Sequence, residues 1–407
     1  MTFDYSSLLR RGLPPAAAQW TDFPEYNFIG GHNDEGAVPV DDFIKCAREV
    51  LSREGQTLAT YGLASGAQGY LPLREFIAKT LNQRAGMQEG AQNILLVSGS
   101  LQALDLVNDV FLEPGDTVIA EEASYQGTLQ RYNRCGVQIL GAPLDDRGIK
   151  MDALINILSD LRAKDVTPKF IYTIPTVQNP TGTVMPEERR LQLLRISEDF
   201  GVPIFEDDCY ADLTFNGIRP NSIRSLDDSG RVIYCGSFSK TIAPALRVGF
   251  IAADWNILSL LISLKFDAGS GALEQMLLGE YCNTHFEDHI GDMAAILKEK
   301  CDVMVEAVAA EFGTIAELRP PEGGIFVWVT LPDEVDTMKL SEVAGAEGVA
   351  INPGADWTVT PHSGSHKIRL CFGHASAEEI RGGIAKLAQI CHREFGVPLR
   401  SGNVGRS

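Results

Sequence analysis

The chain of 407 residues carries 35 lysines and arginines against 54 aspartates and glutamates, a formal net charge of −19. This charge has the wrong sign for binding a nucleic-acid backbone, and the length allows more than one lobe. Hydrophobic residues make up 44% and charged residues 22% of the sequence, which excludes collagen, a coiled coil and a disordered chain.

Prolines and glycines recur in the first 45 residues, which indicates an extended segment, and we predict an arm over 1–45. From residue 93 onward, short β-branched runs alternate with helical patterns, which is typical of a mostly parallel sheet with helices on both faces. Seven runs are predicted as its strands, at 94–97, 118–120, 137–140, 170–174, 202–205, 232–235 and 248–252.

A strand-rich piece and a last helix follow, so the chain is predicted to be an α/β protein with a second, smaller α+β lobe. We place the large domain at 46–290 and the small domain at 291–407. The arm is expected to join the small lobe and cover the active site, and 400–407 is expected to be a mobile end.

A lysine flanked by serines follows one predicted strand. Residues 237–240 are Ser-Phe-Ser-Lys, and Arg247 stands seven residues after the lysine. An amine can form an imine with an aldehyde, while hydroxyls and a guanidinium can bind a phosphate. An isolated lysine is usually a solvated surface charge, so this interpretation depends on neighbouring motifs.

Two other motifs follow strands at the same edge of the sheet. Residues 206–210 are Glu-Asp-Asp-Cys-Tyr, where a carboxylate can pair with a protonated pyridine nitrogen, although an acidic loop explains this segment equally well. Asn179 precedes Pro180 at a turn that needs no functional explanation by itself.

The turn before the first helix of the sheet contains Ser98, Gly99 and Ser100. Free backbone N–H groups at a helix start can bind an anion. The turn carries neither the P-loop nor the dinucleotide-binding glycine pattern, so we do not expect the phosphate to belong to a nucleotide.

Together these motifs resemble the class I and II aminotransferases, which are pyridoxal-phosphate enzymes of fold type I. The resemblance is greatest to the branch of aminoadipate, kynurenine and broad-specificity aminotransferases. It extends from Phe-Ile-Gly-Gly at 28–31 to Ile-Arg-Leu at 368–370, with the motifs in the family's order. It implies pyridoxal phosphate as cofactor and a seven-stranded sheet of the fold-type-I transferases.

The resemblance also implies individual roles. Lys240 would bind the cofactor aldehyde as an imine and then carry a proton between substrate and cofactor. Asp207 would pair with the pyridine nitrogen, because it stands three residues before Tyr210 and Asp208 does not. The implied cofactor-binding residues of the same chain are Ser98, Gly99, Ser100, Leu101, Tyr125, Asn179, Asp207, Tyr210, Ser237, Ser239, Lys240 and Arg247.

Several of these residues have more specific implied contacts. Tyr125 would stack on the cofactor ring. Relatives often carry glutamine where this chain has Leu101, so a polar contact is lost or moved there. Tyr61 would reach the cofactor phosphate of a neighbouring subunit, which implies a homodimer.

For the substrate, the resemblance implies that Arg369 binds the α-carboxylate bidentately, with Gly31 and Asn179 beside it. The sequence has no arginine between Arg11 and Arg48, so the arm offers no obvious partner for a second carboxylate. Residues 32–35 are His-Asn-Asp-Glu, which favours polar or cationic amino donors near the pocket mouth.

The implied activity is ping-pong transfer of an amino group between an L-amino acid and a 2-oxo acid. A lyase or oxidase on the same fold is an alternative, because the cofactor-holding residues do not decide which bond breaks. A ligand-sensing domain of a regulator is a weaker alternative. Such a regulator would carry an N-terminal basic DNA-binding module, and only about 40 residues precede the predicted cofactor domain.

No metal site is predicted. His285 and His289 frame the sequence His-Phe-Glu-Asp-His, which is not the zinc motif His-Glu-x-x-His and has no third ligand nearby. Cys209 is interpreted as a small buried thiol.

The cysteines and the N-terminus predict the compartment. The eight cysteines are scattered without a Cys-x-x-Cys pair, and residues 1–11 lack the apolar segment of a secretory signal. The longest apolar stretch, 248–266, is interrupted by charged and polar residues. We therefore expect a cytoplasmic protein that binds neither membranes nor nucleic acid.

Overall fold

A computed structural model describes residues 3–9, 13, 16–17, 19–20 and 22–398. The predicted mobile end at 400–407 and parts of the predicted arm, including Pro14 and Pro15, lie outside the described residues. Among the helices that are described, none combines the length and the apolar character needed to cross a membrane.

The described chain forms ten α-helices and fifteen strands. The helices are α1 (Val40–Glu54), α2 (Leu71–Arg84), α3 (Ser100–Phe111), α4 (Gln126–Cys135), α5 (Met151–Ala163), α6 (Glu187–Phe200), α7 (Trp255–Leu264), α8 (Ala272–Phe312), α9 (Thr337–Ala346) and α10 (Ala377–Phe395). The strands are β1 (Tyr26–Asn27), β2 (Ile94–Val97), β3 (Thr117–Glu121), β4 (Gln138–Ala142), β5 (Leu144–Asp145), β6 (Gly148–Ile149), β7 (Ile171–Thr173), β8 (Ile204–Asp207), β9 (Val232–Ser237), β10 (Gly249–Ala252), β11 (Glu317–Leu318), β12 (Phe326–Thr330), β13 (Val349–Ala350), β14 (Asn352–Pro353) and β15 (Lys367–Cys371).

The large sheet has seven strands in the order β2-β10-β9-β8-β7-β3-β4. All seven predicted strands are confirmed, and β10 runs antiparallel to the other six. Leu95 and Val97 pack in one apolar core, whereas Ile94 and Leu96 pack in another. Because side chains alternate along a strand, these two cores show that both faces of the sheet are covered.

A second sheet is antiparallel, in the order β11-β12-β15-β14, and packs with α10 in a separate apolar core. Strand β1, from the predicted arm, pairs in parallel with β13 beside this sheet. Helix α8 is 41 residues long and passes residue 290 without a break. The domain boundaries at residues 45 and 290 remain predictions.

Candidate active site

The carboxyl ends of β7, β8 and β9 and the start of α3 surround a cavity of about 420 Å³. Ligand sites of α/β folds commonly form at this edge of the sheet. Twelve residues predicted from the sequence line the cavity, namely Gly31, Ser100, Leu101, Tyr125, Asn179, Asp207, Tyr210, Ser237, Ser239, Lys240, Arg247 and Arg369.

The amine of Lys240 lies inside this cavity and donates a hydrogen bond of 2.7 Å to the carbonyl oxygen of Gly31. Burial, with smaller contributions from the charges of Arg369 and Arg247, lowers the pKa of Lys240 to about 8. A Cβ at Gly31 would meet Nζ, so a larger residue there would displace the lysine amine. The lysine is therefore partly neutral near physiological pH, as a nucleophile or base must be.

An anion cradle lies around Arg247, a residue with left-handed backbone at φ 53°. Its guanidinium donates to Ser239 Oγ at 3.3 Å and to the carbonyl oxygen of Ser98 at 3.2 Å. A Cβ at Gly99 would lie 2.2 Å from the same guanidinium, and Ser237 Oγ accepts from the Ser239 N–H at 3.1 Å. With the N-terminus of α3 beside it, this group of donors fits a phosphate.

Asp207 ends β8 and is the carboxylate that faces the cavity. Tyr172 donates a hydrogen bond of 2.6 Å to it, and Thr128 donates to the Tyr172 hydroxyl at 3.1 Å. Burial raises the pKa of Asp207, and a cationic partner would favour the ionised carboxylate. Asp208 pairs instead with Arg219 at 3.5 Å.

Arg369 is a buried cation, with 2% of its surface exposed. It donates to Asn179 Oδ1 at 3.0 Å and to the carbonyl oxygen of Gly30 at 3.2 Å. Its guanidinium carbon lies 4.3 Å from the ring centre of Trp357 and 4.5 Å from that of Phe326. No ion pair joins it to a carboxylate of the described chain, so the site is built to receive an anion.

The loop after β7 fixes Asn179. Val177 has a φ of 54°, a conformation that costs a β-branched residue about 1–3 kcal/mol. Gln178 donates to the fully buried carboxylate of Glu121 at 2.9 Å, which anchors the neighbouring Asn179. Asn179 Nδ2 in turn lies 3.4 Å from the hydroxyl of Tyr210.

Sequence reasoning missed Tyr172, Glu121 and Trp357 at this site. Tyr172 and Glu121 lie within or at the end of buried strands, where an aromatic or charged residue gives no signal of direction. Trp357 closes the cavity against Tyr125, with ring centres 5.9 Å apart. A lone tryptophan in a loop predicts no particular contact.

Two side chains of the segment 32–35 make contacts within the chain that its sequence did not predict. Asn33 donates to the backbone carbonyl oxygens of Lys240 and Ile242 at 3.2 and 3.3 Å. Asp34 forms an ion pair with Lys300. These contacts engage two of the four side chains on which the expected preference for polar or cationic donors rested.

Tyr61 is 89% exposed and lies outside the cavity that contains Lys240. It lines a second cavity of about 740 Å³ together with Lys265, Asp267 and Gln275. Within one chain, Tyr61 therefore takes no part in the Lys240 site, and its predicted role requires a second chain.

The cavity, its lysine and the surrounding sheet define an α/β enzyme that binds an aldehyde and a phosphate. Residues 28–387 match the family of class I and II aminotransferases. Aromatic-amino-acid aminotransferase 1 of Thermococcus litoralis is 34% identical over 372 residues, which cover 91% of this chain and 88% of the relative.

The multiple substrate aminotransferase from Thermococcus profundus superposes with a TM-score of 0.89 at 32% identity, covering 97% of this chain and 100% of that chain. An uncharacterized HTH-type transcriptional regulator of Bacillus subtilis, YdfD, is 31% identical over 343 residues, 84% of this chain and 69% of the relative.

This chain belongs to the class I and II aminotransferases. The predicted family, the fold-type-I architecture, the pyridoxal-phosphate cofactor and the transaminase activity are thereby confirmed, and nothing favours the lyase or oxidase alternative. The residues present fit the cofactor, with a lysine for its aldehyde, the Arg247 cradle for its phosphate and Asp207 for its ring nitrogen.

Proposed function

We propose that Lys240, Asn179 and Arg369 carry out amino-group transfer between an L-amino acid and a 2-oxo acid in a ping-pong cycle. The observation that carries the proposal is that an amine with a lowered pKa and a buried cation without a carboxylate partner in the described chain share one cavity. The first can move a proton and the second can hold the carboxylate of the substrate.

Bound pyridoxal phosphate supplies an aldehyde and an electron-accepting ring, and this chain supplies position and protons. Arg369 binds the α-carboxylate, while Asn179 orients the guanidinium because its Oδ1 accepts a hydrogen bond from Nε. This fixes the α-carbon relative to Lys240. Lys240 Nζ then accepts the α-proton, which requires the neutral amine.

The family resemblance implies the remaining cofactor contacts. Ser100, Leu101, Ser237, Ser239 and Arg247 line the cavity and would hold the phosphate, together with Ser98 and Gly99 beside the Arg247 guanidinium. Tyr125 would stack on the ring, Asp207 would pair with its nitrogen, and Tyr210 would donate to its phenolic oxygen. These roles combine the family resemblance with the positions of the side chains around one cavity.

We further propose that the preferred amino donors have neutral, largely apolar side chains. The walls beyond the polar groups include Ile174, Pro244 and Trp357, and the arm carboxylate of Asp34 is already paired with Lys300. The name of the Thermococcus litoralis relative, an aromatic-amino-acid aminotransferase, supports the same class.

A screen of amino donors against pyruvate and 2-oxoglutarate tests both proposals, with Lys240→Ala as the inactive control. Phenylalanine and leucine are expected to exceed aspartate and lysine in kcat/KM by at least about tenfold, since an unpaired charge in an apolar pocket is costly. Equal turnover of aspartate and phenylalanine would contradict the donor class. Activity that survives in the control would contradict the catalytic assignment.

The lowered pKa of Lys240 predicts how cofactor capture depends on pH. Below about 8 the amine is mostly protonated and cannot attack the aldehyde, so the rate of capture by cofactor-free enzyme should rise about tenfold per pH unit and level off above about 8. Stopped-flow absorbance measures this rate. A rate that still climbs beyond pH 9.5 would show a lysine with an ordinary pKa.

We also propose that the enzyme is a homodimer in which Tyr61 completes the partner's cofactor site. Exposed apolar side chains in the segment that leads up to Tyr61 support a contact with a second copy. Val40 and Ile44, one helical turn apart on α1, are each 57% exposed, and Leu58 is 46% exposed.

Subunit mixing tests this arrangement. Tyr61→Ala and Lys240→Ala dimers should each be nearly inactive, because every site lacks one required residue. A mixed dimer contains one intact site, so random reassembly should restore about one quarter of wild-type activity. Reassembled mixtures without any gain would contradict a site shared between chains.

We assign the enzyme to cytoplasmic amino-acid metabolism as part of this proposal. All eight cysteines are free thiols, which supports a reducing compartment.

A further inference from the structure

Two thiols and a carboxylate meet beside the active-site cavity. The nearest carboxylate oxygen of Asp207 and the Sγ atoms of Cys209 and Cys235 all lie within 4.8 Å of one another. Asp207 on β8 pairs in register with Cys235 on β9, and Cys209 stands two residues after Asp207. All three side chains are buried, while Cys209 also contributes to the cavity wall.

Two sulfurs and one oxygen are a ligand set for a soft divalent cation. Zinc binds thiolates at about 2.3 Å in tetrahedral geometry, which puts two ligand sulfurs about 3.8 Å apart. The two Sγ atoms lie within 4.8 Å of each other, which is compatible with this spacing. The hydrogen bond of 2.6 Å from Tyr172 to Asp207 would orient the oxygen ligand.

We propose that Asp207, Cys209 and Cys235 form a binding site for Zn²⁺ or a similar soft divalent cation when the cofactor is absent. Two thiol protons leave to solvent, two metal–sulfur bonds and one metal–oxygen bond form, and nothing is oxidised or reduced. Three anionic ligands and one divalent cation have a net charge of −1, which suits a cavity that also contains the basic side chains of Lys240 and Arg369.

Metal and cofactor should exclude each other, a consequence that also rests on the proposed pairing of Asp207 with the cofactor nitrogen. One oxygen of Asp207 already accepts a hydrogen bond from Tyr172, so the other cannot both coordinate a metal and pair with a pyridinium. The enzyme would then load its cofactor more slowly in a zinc-rich solution.

Cd²⁺ is a suitable probe, because cadmium–thiolate bonds absorb in the ultraviolet. Full-length enzyme freed of cofactor is expected to bind one Cd²⁺ per chain with this absorbance. Cys209→Ala and Cys235→Ala should each weaken Cd²⁺ binding by about 100-fold or more. Losing a residue that only hydrogen-bonds a metal ligand already costs up to about 100-fold in affinity, and losing a ligand should cost at least as much. The matched control is Cys391→Ala, which removes a fully buried cysteine of α10 and should leave binding unchanged.

Loading with pyridoxal phosphate should abolish the cadmium–thiolate absorbance, and bound Cd²⁺ should slow cofactor uptake at least about tenfold. Normal cofactor absorbance in Cys209→Ala would show that this variant folds. Equal Cd²⁺ binding by the wild type and the Cys209→Ala/Cys235→Ala double variant would overturn the site. Equal binding by loaded and cofactor-free enzyme would overturn the competition, and neither result would change the outcome of the donor screen.

Discussion

Lys240→Ala is expected to lower kcat for transamination by roughly 10⁴-fold or more, because among the described residues no other lysine lines the cavity to accept the α-proton. The variant should fold normally. The Lys240 amine makes one hydrogen bond, to the carbonyl oxygen of Gly31, and a shortened side chain leaves room for water at that carbonyl. Steady-state kinetics and thermal unfolding measure the two effects separately.

Two controls separate loss of chemistry from loss of structure. Lys298→Ala removes an exposed lysine of α8 that pairs with Asp302, and it should retain wild-type activity. Small primary amines added to Lys240→Ala should restore part of the activity, because they can carry the proton in solution. A Lys240→Ala enzyme within tenfold of the wild type would place the base elsewhere.

The seven strands of the large sheet could be predicted because central strands of a mostly parallel sheet are buried on both faces. They therefore appear as continuous apolar runs, such as 232–235 in the central strand β9, that are followed by polar residues. The carboxyl ends of parallel strands meet at one edge of a sheet, and this allowed Asp207 and Ser237 to be placed together there.

The direction of β10 was also accessible from the sequence. Only residues 238–248 separate β9 from β10, and they contain no crossover helix. A parallel pair needs a connection of about a dozen residues or more, usually helical, so antiparallel pairing was the better expectation.

Contacts between distant segments could not be predicted in this way. Asp34 looked available for a substrate because its partner, Lys300, stands 266 residues later in the chain. Likewise, Tyr172 looked like one more aromatic core residue, although its hydroxyl contacts Asp207. Periodicity indicates which face a residue occupies, but not which polar atom lies opposite.

Arg369→Lys is expected to lower kcat/KM for phenylalanine about 100-fold, equivalent to about 3 kcal/mol, while cofactor affinity stays unchanged. A lysine cannot reproduce the bidentate contact with a carboxylate, nor can it keep the hydrogen bond from Nε to Asn179. The cofactor phosphate lies with Arg247 in the proposed site, so its binding does not depend on this change. Arg381→Lys, at an exposed position of α10, is the matched control.

An amine substrate without a carboxylate shows whether Arg369 binds the substrate or only supports the cavity wall. For 2-phenylethylamine, which lacks the α-carboxylate of phenylalanine, wild type and Arg369→Lys should differ by less than about threefold, because the lost contact has no partner on this amine. If both substrates lost activity equally, Arg369 would act by supporting Asn179 and Trp357. Activity lost for phenylalanine alone would identify the buried Arg369 guanidinium as the carboxylate site. Within the described chain this guanidinium has no anionic partner, and phenylalanine, unlike 2-phenylethylamine, supplies one.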